Sequence, residues 1–331
     1  MATLFDNHGR PLTYARLAVT DRCNLRCFYC MPERGIEYLP KKELLTYEEI
    51  ERLVRLLAGM GISKIRLTGG EPFVRADLMY LIEKIAHTPG VTEITLTTNG
   101  ILTEPHIPDL LRLGVRSVNL SLDALDAGRF RRITRRDEFA RVWRTLEALL
   151  QHGMQVKINA VVMENQNTED ILPLVALTGR LPVAVRFIEE MPFNGGGTHY
   201  PVLAWTHKKI LDHIRQHYPT LQKTADEPHG TSANYRVPGY PGSVGIIAAF
   251  SRTFCGTCNR IRVTAQGALK TCLYDGGSLD LKAKMRAGLS DAQLVEALLH
   301  AFAHRPANGW EAEQRRAVGT TARESMSTIG G

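Results

Sequence analysis

Over the first two hundred residues, short apolar and β-branched runs alternate with stretches of helical period. The runs are ARLAVT at 15–20, KIRLTG at 64–69, EITLTT at 93–98, SVNLSLD at 117–123, VKINAVVM at 156–163 and AVRFIE at 184–189. Each has the length and composition of a strand. Between the first two, TYEEIERLVRLLAGMG sets Ile50, Leu53, Val54, Leu57 and Met60 on one helix face. Thr46 and Glu49 have capping-box spacing there, and Gly61 stands where a C-terminal cap belongs. FARVWRTLEALLQHG repeats the arrangement, with Phe139, Val142, Leu146, Leu149 and Leu150 on one face and Gly153 as the stop.

Strand and helix in sixfold alternation predict an α/β fold with a parallel sheet and right-handed crossovers, covered by helices on at least one face. Six units fall short of eight, so the expected architecture is a partial (β/α)6 TIM-like barrel, with a doubly wound open sheet as the alternative. In both, ligands gather at the C-terminal ends of the strands. The sequences at those ends are CNLRCFYC after the first strand, GGEP after the second and TNG after the third. Ser121 and Asp123 end the fourth strand and Glu189 and Met191 the sixth, and all should converge on one mouth. After about residue 200 the alternation stops, a Gly/Pro-rich stretch covers 228–245, and a second cysteine group follows. The expected division is a barrel over 1–200 and a C-terminal module over 201–331.

With 331 residues, 44% of them hydrophobic, the chain can build a barrel-sized core and an appended module. No apolar run approaches membrane-spanning length, and the first twenty residues lack the charged start and apolar core of a secretory leader. A soluble, cytoplasmic protein is expected. The net charge of +7 and pI near 9.1 suit an anionic partner, whether nucleic acid, membrane surface or phosphorylated small molecule, but are equally common without one.

The six cysteines fall into two triplets with none left over. In a reducing compartment, close spacing favours metal binding over disulfides. Cys23, Cys27 and Cys30 lie within eight residues directly after a strand, where a loop can wrap three thiolates around one centre. Structural zinc wants a fourth ligand, and the neighbouring histidines in sequence, His8 and His87, are distant. Three thiolates on a four-iron cluster leave one iron open to a small molecule. In Thr68-Gly69-Gly70-Glu71-Pro72 the glycines let backbone groups approach a ligand closely. The second triplet is Cys255, Cys258 and Cys272, again one thiolate short of a closed site. Beside it Arg260 and Arg262 alternate on one face of a short strand, and their forks suit phosphate.

The C-x3-C-x2-C spacing with an aromatic before its last cysteine, combined with GGEP, resembles the radical S-adenosylmethionine superfamily. Over nearly its whole length the chain resembles one family within it, the GTP 3′,8-cyclases (molybdenum cofactor biosynthesis protein A). Both triplets, CNRIRVTAQGALKTCL, VKINAVVM, RFIEEMP and the final Gly330-Gly331 carry the likeness. The resemblance implies two [4Fe-4S] clusters, with S-adenosylmethionine on the open iron of the first and lined by Tyr29, Gly70, Ser121 and Met191. It implies that the second cluster meets the guanine of GTP, and that Arg16, Arg66, Thr97, Lys157, Arg260 and Arg262 contact the nucleotide. Five of these six are cationic, which suits a triphosphate. Cys23, Cys27 and Cys30 would serve the radical chemistry, and Gly330 and Gly331 would enter the active site at the end of a threading tail.

The implied reaction is cyclisation of GTP to (8S)-3′,8-cyclo-7,8-dihydroguanosine 5′-triphosphate, which opens molybdenum cofactor biosynthesis. The implied partners are a one-electron reductant and the next enzyme of that pathway, with no nucleic acid and no membrane, for a monomer or homodimer. The chain departs from the family's pattern over Asn194–Tyr200 and just ahead of MSTIGG. Two other readings are a peptide-modifying radical enzyme, which would usually carry more C-terminal cysteines, and a basic zinc module that binds nucleic acid, which would be colourless and salt-sensitive.

Overall fold

The structure, a computed structural model, describes residues 3–193, 203–316 and 324–330. The alternating pattern folds as β1 (Tyr14–Ala18), α1 (Tyr47–Gly59), β2 (Lys64–Thr68), α2 (Leu78–Ala86), β3 (Glu93–Thr98), α3 (Ile107–Arg112) and β4 (Ser117–Ser121). It continues with α4 (Ala127–Thr134), α5 (Phe139–Gln151), β5 (Gln155–Val162), α6 (Ile171–Leu177) and β6 (Ala184–Glu189). At α1 the Thr46 hydroxyl accepts from the Glu49 N–H, and the Glu49 carboxylate accepts from the Thr46 N–H. Gly61 and Gly153 both take the left-handed backbone that their positions after the helices require.

β1 to β6 pair in parallel in chain order. The strand period of two divides their side chains between two destinations. On β5, Val156, Ile158, Ala160 and Val162 are buried in the apolar core shared with Leu146 and Leu149 of α5. The alternate residues Lys157, Asn159 and Val161 line a cavity on the inner face. β1 divides the same way, with Ala15 and Leu17 in the core and Tyr14 and Arg16 on the cavity.

The sheet continues past these six strands at both edges. After α7 (His207–His217) come β7 (Gln222–Lys223), β8 (Ser232–Arg236), β9 (Ser243–Ile247), β10 (Arg260–Val263), β11 (Ala268–Lys270) and β12 (Leu279–Asp280). The chain ends in α8 (Leu281–Arg286), α9 (Asp291–Phe302), α10 (Gly309–Gln314) and α11 (Met326–Ile329). β9 pairs in parallel with β6, and β10 in parallel with β1. β7–β8 and β11–β12 extend the edges with antiparallel pairings. The Gly/Pro-rich stretch at 228–245 therefore contains β8 and the start of β9. Gly245 sits where a Cβ would come within 2.2 Å of the Ser232 Oγ, so the glycine content there reflects close strand approach. A partial (β/α) barrel with a C-terminal addition is the result. Among the described residues no helix is long and apolar enough to cross a membrane.

Thr46→Ala removes one half of the capping box on α1. The variant is expected to lose about 1 kcal/mol, read as a lower urea midpoint at unchanged slope.

Candidate functional site

The loop after β1 carries the first triplet and is held from three sides. Gly70 N–H donates to Thr20 O at 2.9 Å and Glu71 N–H to Arg22 O at 2.8 Å. A Cβ on Gly70 would lie 2.3 Å from Arg22 O, so this glycine is dictated by the backbone packed against it. The buried Glu71 carboxylate then accepts from Thr98 Oγ1 at 2.8 Å and from Asn99 N–H at 2.7 Å, which ties GGEP to the TNG turn after β3. Asn99 Nδ2 completes the circuit to Asn24 Oδ1 at 2.7 Å. On the far side Arg26 and Phe28 N–H donate to Thr134 O and Ile133 O at the end of α4. The strand-end motifs thus brace one another around Cys23, Cys27 and Cys30.

Tyr29 O–H donates to Asp123 Oδ2 at 2.7 Å, and Val161 N–H donates to Asp123 Oδ1 at 2.8 Å. Burial pushes the Asp123 carboxyl up to about 6 and Glu71 up to about 7. Burial also pushes Cys23 up to about 11, helped by the negative charge of Glu71, and raises Cys27 and Cys30 beside Asp123. Were these thiols to bind a metal they would have to release their protons, which would couple metal uptake here to pH.

The second triplet lies at the opposite end of the lumen, for a topological reason. β10 runs parallel to β1 with Tyr14 opposite Arg260, so Cys258, just before β10, lies near the start of β1. Cys23 follows the end of β1. Cys272 follows β11, which is antiparallel to β10 and returns the chain to the same end as Cys258. Both triplets nevertheless line one cavity of about 430 Å³, within the size range of ligand pockets.

Between the triplets the register aligns the cations. Arg262, Arg16 and Arg66 lie side by side on β10, β1 and β2. Thr97, Asn119 and Lys157 form a second row on β3, β4 and β5, and Ser121, Asn159 and Arg186 a third on β4, β5 and β6. The cavity lining contains Tyr29, Gly70, Ser121, Met191, Arg16, Arg66, Thr97, Lys157, Arg260, Arg262 and all six cysteines. Of the residues singled out in the sequence, Gly330 is not part of that lining but contacts Arg262, and Gly331 and Asn194–Tyr200 lie outside the described residues.

Sequence reasoning passed over Tyr14, Lys64, Asn119, Asn159 and Arg186, which also line the cavity. Their signal was present in the strand period: Arg186 holds the inward place in AVRFIE that Arg16 holds in YARLA. Arg66 Nε, Arg186 Nε, Arg260 Nε, Asn119 Oδ1 and Asn159 Oδ1 are buried and make no hydrogen bond among the described residues. Unpaired buried groups of this kind are costly and suit a polar ligand.

Cations dominate the field. Lys157 pairs with Glu227 at 2.9 Å and Arg186 reaches it at 3.6 Å. Burial and the neighbouring Arg16 and Arg260 press Arg262 down to about 9, and burial with Arg66 and Arg260 presses Arg16 to about 10. Both stay charged at neutral pH. Burial alone would raise the Tyr14 phenol, yet Arg66, Arg16, Arg260 and Lys64 bring it to about 8. At Cys258 burial is likewise outweighed, by Arg260 and Arg305, and its thiol is lowered.

The C-terminal segment borders the lumen through Met326 and Ser327. Ser325 Oγ donates to Cys30 O at 2.8 Å, and Ile329 packs with Met191, Phe193, Tyr274 and Met326. Arg262 Nη1 donates to Gly330 O at 2.5 Å. Gly330 has φ +82°, and a Cβ there would lie 2.4 Å from Thr68 Oγ1.

Among the described residues no three His, Cys, Asp or Glu side chains converge on a single metal ion. In a four-iron cluster each thiolate binds a different iron, and a thiolate-only donor set without a fourth protein ligand fits such a group.

A partial barrel with a three-cysteine loop braced by GGEP at its strand ends defines the radical S-adenosylmethionine class, and residues 17–178 match the Radical SAM superfamily. Residues 183–310 match Molybdenum Cofactor Synthesis C. The chain belongs to the GTP 3′,8-cyclase family: it is 40% identical to GTP 3′,8-cyclase of Pelotomaculum thermopropionicum over 98% of its own length and 99% of that protein's. It is also 42% identical to bovine Molybdenum cofactor biosynthesis protein 1 over 90% of its length, but spans only 47% of that relative. The chain thus covers about half the length of the animal relatives it matches. Streptococcus suis SuiB shares the fold at a TM-score of 0.63 and 14% identity, over 94% of this chain and 70% of that one.

A spectrophotometric pH titration tests the field around Tyr14. One tyrosinate should appear with a midpoint about 8 and vanish in Tyr14→Phe. Because the fold lowers this group below its usual value near 10, its stabilising contribution is complete above that value and lost as pH falls through about 8.

Proposed function

We propose that this chain catalyses the radical S-adenosylmethionine-dependent cyclisation of GTP to (8S)-3′,8-cyclo-7,8-dihydroguanosine 5′-triphosphate, the first step of molybdenum cofactor biosynthesis. The observation that carries this reading is a single cavity lined by both cysteine triplets, with rows of cations between them. Family membership supports the reaction. A nucleic-acid surface is a poorer match, because these cations face inward.

In this reading Cys23, Cys27 and Cys30 hold the first [4Fe-4S] cluster, and Tyr29, Gly70, Ser121 and Met191 receive S-adenosylmethionine. When bound and reduced, the pair supplies a 5′-deoxyadenosyl radical. Cys255, Cys258 and Cys272 hold a second [4Fe-4S] cluster that meets the guanine. The barrel over 1–200 carries the radical source, and the module over 201–331 carries the second cluster and the Gly330-Gly331 tail.

Arg16, Arg66, Lys157, Arg260 and Arg262 neutralise the triphosphate, and Thr97 contacts it with its hydroxyl. Arg186 and Lys64 join them from the same face. Each pairing strengthens away from water. Leu25, Met31, Phe130, Ile188 and Ile247 supply the apolar part of the wall, which keeps water and stray hydrogen donors from a radical. Gly330 lets the tail lie against Thr68 while its carbonyl orients Arg262. The activity requires a one-electron reductant, and its product would pass to the next enzyme of the pathway.

Anaerobic incubation with GTP, S-adenosylmethionine and a reductant should yield 5′-deoxyadenosine at a rate that GTP raises; a rate indifferent to GTP would sink the substrate assignment. Cys27→Ala should abolish 5′-deoxyadenosine formation and leave GTP affinity near the parent's. Arg262→Ala should weaken GTP binding about tenfold or more, the scale of one charge-assisted bond, and retain basal cleavage. Equal losses of affinity in the two variants would contradict this division.

Gly330→Ala should lower cyclised product by displacing the tail from Thr68, at unchanged iron content. Iron analysis and product yield, measured on one preparation, separate the two effects.

A further inference from the structure

Asp6, Arg10 and Arg305 belong to no motif in the sequence, yet they form a densely bonded buried charge cluster beside the second triplet. Their relative exposures are 7%, 5% and 2%. The turn that carries Asp6 and Arg10 is closed by Asp6 N–H to Arg10 O and Gly9 N–H to Asp6 O, both 3.0 Å. Asp6 Oδ2 accepts from Arg10 Nε at 2.7 Å and from Arg305 Nη1 at 2.8 Å. Asp6 Oδ1 accepts the backbone N–H of His8 and of Arg10, both at 2.9 Å. One carboxylate therefore fixes two guanidinium planes that lie almost three hundred residues apart in sequence.

The remaining donors of those planes go to backbone carbonyls, and mostly to those of the cysteine segments. Arg10 Nη1 donates to Cys255 O at 3.2 Å. Arg305 Nη1 donates to Cys258 O at 3.4 Å, Nη2 to Arg260 O at 3.0 Å, and Nε and Nη2 to Thr271 O at 3.1 and 2.9 Å. Thr271 O belongs to the peptide that enters Cys272. The N–H of that same peptide donates to Asp275 Oδ2 at 2.8 Å, so it is gripped from both sides. Arg10 also reaches Pro306 O and Ala307 O, which closes the network onto the segment that carries Arg305.

We propose that Asp6, Arg10 and Arg305 are positioning residues for the second iron–sulfur cluster, holding the backbone at Cys255, Cys258 and Cys272 in ligand-ready geometry and setting a positive field beside the cluster. The inference rests on the reading that this triplet holds a cluster. Two buried guanidiniums sharing one carboxylate are expensive as a purely stabilising device. All three cysteine segments, far apart in sequence, converge on the same pair of forks. Hydrogen bonds and charge around a cluster are also the protein's means of retaining it and tuning its potential.

The test uses the full chain, reconstituted anaerobically, in two variants. Arg305→Lys keeps a charge but loses the fork. Asp6→Asn keeps the shape and both guanidiniums but loses the shared anion. Iron per chain is followed under challenge with a chelator, together with the electron paramagnetic resonance spectrum of the reduced protein with and without GTP. The parent should hold about eight irons. Both variants should fall toward about four, lose the GTP-sensitive part of the spectrum and keep the part that responds to S-adenosylmethionine, with basal cleavage of S-adenosylmethionine intact.

Full iron, unchanged release and unchanged spectra in both variants would overturn the proposal. A parent that holds only about four irons would instead refute the second-cluster reading, and this inference with it. If circular dichroism shows Arg305→Lys to be unfolded, Asp6→Asn decides alone: selective loss of the GTP-sensitive signal supports the positioning role, and an unaltered signal removes it.

Discussion

The parallel pairing of β10 with β1 is the constraint on which the rest of the site depends. It sets Arg260 opposite Tyr14 and Arg262 opposite Arg16. Because the first triplet follows β1 and the second precedes or flanks β10, the same pairing sends the two triplets to opposite ends of one lumen. A one-residue slip would turn Arg260 and Arg262 to the other face of the sheet. The row Arg262–Arg16–Arg66 would then break, and Gly330 would lose the guanidinium that holds its carbonyl. Register is enforced on the far side, where Ile261 and Val263 are buried in the main core.

The barrel encloses a ligand-sized space in which charged side chains stand among an apolar lining, rather than stacked aliphatic layers. A closed eightfold barrel fills its interior with branched side chains. Here the inward positions of β1, β2, β4, β5, β6 and β10 include arginine, lysine and asparagine beside Tyr14, Val161 and Ile188, and their cost is visible in the lowered Arg16 and Arg262 and in the unpaired Asn119 and Asn159 oxygens. An anionic ligand would offset part of that like charge, as Glu227 already does at Lys157 and Arg186. Tyr14 registers the same field, since several cations together outweigh the burial that would otherwise raise it.

The barrel strands and their helices were legible because each follows a single period: two for β5, about 3.6 for α1 with its capping box. The first triplet and GGEP were legible as a local motif, although the reason for Gly70 was not. Its glycine makes room for the backbone of Arg22, a contact between two strand ends that no one-dimensional pattern records. Arg186 was hidden for the opposite reason, as an ordinary charged residue within an apolar run. Its meaning lies in the parity of its position. The Asp6–Arg10–Arg305 network left no trace at all, because its partners are mainly backbone carbonyls, which every sequence possesses.

The two triplets differ less in their cysteines than in the charges that surround them. Glu71 and Asp123 stand near the first, where burial and those carboxylates together keep the thiols protonated until metal displaces the protons. Arg260, Arg305 and Arg10 stand near the second, where at Cys258 they outweigh burial, although burial still raises Cys255 and, with Asp275 beside it, takes Cys272 up to about 11. Near any electron-accepting group held by thiolates, carboxylates oppose reduction and guanidiniums favour it. The fold sets Cys23 beyond the end of β1 and Cys258 near its start, so the carboxylates beside the one and the guanidiniums beside the other stay apart.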